Sequence, residues 1–171
     1  MKYYNINNTS EKVPLKQAVL KSITRKSCLY MPEYIPHLDS AFFQGLKEMT
    51  FNEIAFNVSK EMLGRDIPDI ALENIVNDAF QFQIPLKQLS EKLFVLELFH
   101  GPTLAFKDVG ARFMAGLFEY LIRNDDQEIT ILAATSGDTG SAVANAFLGR
   151  KGIKVVKIGR ASCRERVCQY V

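Results

Sequence analysis

Residues 99–114 read FHGPTLAFKDVGARFM, and they place one lysine, Lys107, between a Gly-Pro turn and an apolar-striped stretch. An apolar run precedes the turn, so the lysine falls where the chain passes from a buried strand into a helix. Burial penalises an ammonium, and proteins keep most lysines in water. Two readings stay open: Lys107 is a solvated first-turn ammonium, or its amine does chemistry. The positive end of a helix disfavours a cation and so favours the free amine. Such an amine is suited to Schiff-base formation or to proton transfer. His100 ends the apolar run and reads as a packed histidine, and His37, in a proline-flanked loop, carries no assigned role.

The second loop able to carry chemistry is ATSGDTGSA, residues 134–142. Gly137 and Gly140 allow positive φ and close approach of the backbone to a ligand. Thr135, Ser136, Thr139 and Ser141 supply hydroxyls, and the helix that follows offers free N–H groups and a positive dipole end, an anion site. Asp138 is out of place in an anion site unless it caps the helix or meets a cationic or hydroxyl-bearing group. A plain capped turn explains the loop equally well. No Gly-Lys-Ser/Thr follows, so it is not a Walker A loop. Taken together, an imine-forming lysine and a hydroxyl-rich anion loop suit an aldehyde cofactor that carries a phosphate, namely pyridoxal 5'-phosphate.

The flanking elements place both loops. KLFVLELF (92–99) and ITILAA (129–134) are short apolar runs that read as buried strands, and GIKVV (152–156) begins a third. Between them lie a helix over about residues 107–123, with Phe106, Gly110, Phe113, Met114, Leu117 and Leu121 on its stripe, and a helix after the glycine loop. Strand–helix alternation of this kind predicts a parallel sheet with crossover helices, an α/β fold with ligands at the carboxyl ends of the strands. Residues 1–88 read as mostly helical. VPLKQAVLKSI carries Leu15, Val19 and Ile23 on one stripe with Pro14 in the first turn, and CLYMPEYIP is extended. In TFNEIAFNVSKEMLG, Thr50 and Glu53 form a capping box, Phe51, Ile54, Ala55, Val58 and Met62 share a face, and Gly64 ends the helix. PDIALENIVNDAFQF repeats the pattern through Ile70, Ile75, Ala79 and Phe82.

The bulk numbers fit one globular domain, or one plus part of another: 171 residues, 47% hydrophobic, net charge +2. So small a charge gives no case for nucleic acid, and no run nears the roughly 20 apolar residues of a membrane span. The start, MKYYNINNTSEK, has no apolar signal core. Cys28, Cys163 and Cys168 form neither a disulfide framework nor a zinc spacing, so the metal expectation is none and the expected setting is cytoplasmic.

HGPTLAFKDVGARFM followed by ATSGDTGSAVA closely resembles the threonine synthase family of fold-type II pyridoxal-phosphate enzymes. The resemblance covers roughly residues 12–156, with LYMPEYIP and TFNEIAFNVSKEMLG similar to that family's N-terminal helical domain. It implies a helical domain over 1–88 and, over 89–157, the start of a three-layer parallel-sheet catalytic domain. It also implies that Lys107 forms the internal aldimine and acts as base at the substrate carbons. The loop Ser136-Gly137-Asp138-Thr139 would contact the substrate carboxylate or phosphate and the cofactor's 3-hydroxyl, with Thr135, Ser136 and Thr139 on the substrate, while Thr103 and Phe106 shape the pocket. The implied reaction takes O-phospho-L-homoserine and water to L-threonine and phosphate. Other readings are a serine/threonine dehydratase or tryptophan synthase β-type enzyme, against which the N-terminal domain argues, and a non-catalytic phosphate-binding protein with Lys107 a plain ammonium.

Three stretches depart from the family pattern. Lys26-Ser27-Cys28 stands where an acidic, glycine-rich turn is usual, and YYNIN lacks the usual Ser-Thr. Asp138 also occupies a position where related enzymes often have asparagine. After GIKVV the cofactor-phosphate glycine loop and the group facing the pyridine nitrogen do not follow. In their place IGRASCRERVCQYV (158–171) resembles a translated sequencing adapter. It carries Arg160, Arg164 and Arg166 against Glu165, which accounts for the whole net charge. The expectation is a foreign tail on a fragment that is inactive by itself, with LFVLELF and ITILAA left as uncovered apolar surface.

Overall fold

The computed structural model describes residues 1–21, 28–126, 128–135 and 137–158. They form two compact units, Met1–Val76 and a second from Asn77 onward. The first opens with a sheet. Strand β1 (Lys2–Asn5) pairs antiparallel with β2 (Asn8–Pro14) and, along its other edge, with β3 (Tyr30–Pro32), in the order β2-β1-β3. Asn5 tightens the connection: its Oδ1 accepts from the Asn7 amide at 3.0 Å, and its Nδ2 donates to Glu11 at 2.8 Å. The reading of residues 1–88 as mostly helical therefore omits a sheet. Polar residues fill the turn and most of β2, so no apolar period announces it. Pro14 ends β2 rather than entering the following helix, α1 (Leu15–Lys21). Leu15 is buried as expected, whereas Ile23 lies outside the described residues.

After α2 (Ser40–Gly45) and a 3₁₀ turn at Leu46–Glu48, α3 spans Phe51–Leu63. Its start is the capping box expected from sequence: Thr50 Oγ1 accepts from the Glu53 amide, and Glu53 Oε2 accepts from the Thr50 amide at 2.7 Å. Gly64 caps its C-terminus. The expected apolar face is only half covered, with Phe51 and Val58 exposed. The next helix, α4 (Asp69–Ala79), buries Leu72, Ile75, Val76 and Ala79. Ile70, placed on that stripe from sequence, is 77% exposed. At 3.6 residues per turn it points roughly 140° away from Ile75.

The second unit takes in the last residues of α4 and continues into an antiparallel hairpin, β4 (Leu86–Ser90) and β5 (Leu93–Leu96). The run at 92–99 is thus a strand, but it pairs with β4 rather than joining a parallel sheet, and both strands are exposed. The parallel element lies further on. Strands β6 (Ile129–Ala134) and β7 (Ile153–Ile158) pair in parallel from Ile129↔Ile153 to Ala134↔Ile158. The connection between them contains α6 (Asp138–Phe147), which packs on α5 (Lys107–Ile122) with Phe118 edge-on to Phe147 at 5.7 Å. One face of the pair buries Ala133 and Ile153, while Leu132, Val156 and Ile158 on the other stand exposed. On α5, Leu117 and Leu121 are buried, but Phe106 and Met114 are exposed, because only the C-terminal half of the stripe is covered. Arg150 ties the unit together by pairing with Asp78 and Glu119. Burial works against its charge, but the two carboxylates outweigh that and raise the guanidinium above its ordinary value. Strand β7 takes in Ile158, the first residue of the segment set apart by composition, and the remainder, 159–171, is outside the described residues.

The capping box makes α3 sensitive to acid. The backbone N–H of Thr50, and then its hydroxyl, hold the Glu53 carboxyl below the usual glutamate value. A lowered folded-state value means that the contribution is complete above the unfolded-state value and fades as pH falls through the folded one. We expect Thr50→Ala to lower stability by about 1 kcal/mol, read as a shift in the urea midpoint. Glu53→Gln should flatten the acid side of the stability profile. A stability profile for Glu53→Gln that matches the parent's would contradict this account of the cap.

Candidate active site

Lys107 is the first residue of α5. It is partly buried, and its Nζ lies 4.1 Å from the centre of the Phe106 ring, a cation–π contact that limits its swing. The preceding loop is tightly bound. The Leu104 amide donates to the Gly101 carbonyl at 3.0 Å and closes a turn over Pro102 and Thr103. Leu104 has φ +57°, the left-handed region, where a residue with a Cβ costs roughly 1–2 kcal/mol.

One residue braces this turn. Asp108 is fully buried, and its two carboxylate oxygens accept from Thr103, Oδ2 from the amide at 2.8 Å and Oδ1 from the hydroxyl at 2.7 Å. A buried carboxylate is tolerable only with such donors, and a position in the first turn of α5 adds the helix dipole. Gly101 leaves room for it: a Cβ there would come within 2.6 Å of both Asp108 Cβ and Oδ2. Sequence reasoning passed over Asp108, because a carboxylate beside a lysine on a helix reads as solvated. The available signal was the Gly-Pro-Thr turn five residues upstream, whose donors need an acceptor.

The glycine loop starts α6 as expected. Gly137 is the N-cap at φ +81°, ψ −144°, with no side-chain cap hydrogen bond to the first-turn amides and with open space where a Cβ would stand. Asp138 is therefore the first helical residue, exposed, and not the cap. Thr139 follows in the first turn. Gly140 is buried and closely packed: a Cβ there would lie 3.0 Å from the Thr135 carbonyl. Thr135 ends the strand side of the loop, and Ser136 lies outside the described residues.

The two loops meet at one cleft of about 170 Å³, which Thr103 lines together with Ser141, Asn145 and Lys157. Thr103 gives its hydroxyl proton to Asp108, so toward the cleft this oxygen can only accept. His100 is not packed inside: its side chain is 40% exposed, donates from Nε2 to the Glu97 carboxylate at 2.7 Å and lies against Phe99.

The cleft joins the loop before α5 to the first turns of α6 in an α/β arrangement, and neither Lys107 nor, among the described residues, any of 135–139 lines it. The comparisons point to one family. The profile for the threonine synthase N terminus matches residues 2–80. The chain is 43% identical over 156 residues to threonine synthase of Haemophilus influenzae, covering 91% of this chain and 36% of that protein. The structure superposes on threonine synthase of Escherichia coli with TM-score 0.84 at 39% identity, covering 92% of this chain and 36% of the other. It also superposes on a PLP-bound threonine synthase from Brucella melitensis with TM-score 0.87 at 34% identity, covering 93% and 35%. Over about nine-tenths of its length the chain is similar to threonine synthases, and it spans about a third of the length of these relatives.

Gly137 carries a specific expectation. Its φ and ψ are accessible almost only to glycine, so open space around it does not help a side chain. Gly137→Ala should destabilise by roughly 1–3 kcal/mol, measured by equilibrium unfolding. A variant as stable as the parent would show that the loop does not need this backbone geometry.

Proposed function

We propose that these residues belong to a threonine synthase that converts O-phospho-L-homoserine and water to L-threonine and phosphate with pyridoxal 5'-phosphate. The observation that carries the reading is the cleft shared by Thr103, four residues before Lys107, and Ser141 in the first turns of α6. The donor set suits the cofactor and substrate: a partly buried primary amine for a carbonyl, and an uncapped helix start of a ten-residue helix for an anion. When bound, pyridoxal phosphate supplies an electron sink for carbanions.

The chain's own residues have distinct tasks in this reading. Lys107 holds the cofactor through its amine and moves protons at the α and β carbons of the substrate. The Phe106 ring limits the path of that amine. Thr135, Ser136 and Thr139, with the first amides of α6, receive the substrate carboxylate or phosphate. Gly137 lets the backbone approach, and Asp138 faces the cofactor's 3-hydroxyl. Residues 1–88 form the N-terminal domain, 89–157 open the catalytic domain, and 158–171 are foreign. A cytoplasmic setting belongs to the same reading. Among the described residues no helix is long and apolar enough to cross a membrane.

The test is phosphate release from O-phospho-L-homoserine by the full-length enzyme that carries these residues. Lys107→Ala should lower the rate on the order of 10³-fold, and the 171-residue chain alone should stay at background. Turnover by Lys107→Ala close to that of the parent, or by the 171-residue chain, would overturn the reading.

A further inference from the structure

We infer that Asp108 is the positioning residue of the Lys107 loop, which rests on the role proposed for Lys107. Three observations converge on it. Asp108 is fully buried one residue beyond Lys107, yet its carboxylate turns back to the loop and away from the cleft, with both oxygens engaged by Thr103 at 2.8 and 2.7 Å. The backbone it braces is strained, since Leu104 holds φ +57° while its side chain is exposed and gains no packing there. The site is also fitted to the carboxylate, because Gly101 leaves no room for a Cβ against it. An exposed leucine does not keep a left-handed backbone unless its surroundings impose it. Here the turn hydrogen bond from Leu104 to Gly101 and the Asp108–Thr103 pair are what impose it.

The consequence falls on Lys107. Residues 103–108 form a closed ring of chain, joined at its ends by the two hydrogen bonds and containing the lysine near one end. Loosening the ring frees the start of α5, and with it the amine. Asp108 touches neither the cleft nor the amine in this role, so it acts through Thr103 and the backbone. Misplacement by about 1 Å can cost on the order of 10²-fold in rate. Asp108→Asn is the informative change, because it keeps shape and one acceptor oxygen for the Thr103 amide but removes the charge, and its new donor can be met only if the Thr103 hydroxyl turns from donating to accepting.

The experiment compares the full-length holoenzyme with Asp108→Asn and Thr103→Val. Two quantities are read: the separate effects on kcat and KM, and amide hydrogen exchange over residues 103–107 without added cofactor. The expected result for Asp108→Asn is a kcat lowered on the order of 10²-fold with KM nearly unchanged, faster exchange in this loop alone, and a native circular dichroism spectrum. If Asp108→Asn does not fold, Thr103→Val decides, with the same pattern at roughly tenfold. Unchanged exchange, or faster exchange with parental kcat, overturns the assignment. Because exchange is measured without cofactor, faster exchange in a protein whose cofactor sits on another lysine would support the brace while removing the proposed role of Lys107.

Discussion

Strands β6 and β7 run parallel, and parallel strands cannot be joined by a tight turn. The chain must leave the carboxyl end of β6, travel back along the sheet and re-enter at the start of β7. The return path here contains α6, so its N-terminus has to stand at the carboxyl end of β6. This single requirement puts Gly137, Asp138 and Thr139 together with the first amides of α6. It also sets α6 against α5, where Phe118 meets Phe147, and so fixes the helix whose first residue is Lys107. Lys107 and the glycine loop therefore both stand at helix starts, on two helices that pack together.

What sequence could reveal follows from how local each interaction is. The Thr50–Glu53 box spans four residues and was readable in full. The apolar runs of β6 and β7, the stripe of α5 and the glycine loop likewise carried their signals within one element. The N-terminal sheet did not. Strand β2 is largely polar and exposed, and it is held by pairing with β1 across a two-residue turn and by the Asn5 side chain, so no apolar period marks it. The Asn-rich NINN turn between tyrosines and a valine was the one hint. For the 92–99 run, hydrophobicity located the strand but not its partner, because an apolar run looks the same in a hairpin and in a parallel sheet. At the candidate site, residue types point to Lys107 and the loop as a proposal, whereas Asp108 needed the fold, since Gly101 and Thr103 surround it.

The exposed face of the β6–β7 pair sets a further constraint. Parallel sheets are normally covered on both faces. Leu132, Val156 and Ile158 lie uncovered on one side, and Leu93, Phe94 and Leu96 of the hairpin are exposed on both of its faces. The expectation of uncovered apolar surface at these two segments holds in the structure. The threonine synthases compared above are about two and a half times as long as this chain, which fits a surface that more of such a protein would cover.

The central claim is that the Lys107 amine holds the cofactor, and chemical trapping tests it most directly. The full-length enzyme is loaded with pyridoxal phosphate, reduced with borohydride, digested and mapped by mass spectrometry. The account predicts one pyridoxyl group, on the peptide that contains Lys107. A pyridoxyl group on another lysine, with Lys107 unmodified, would contradict it.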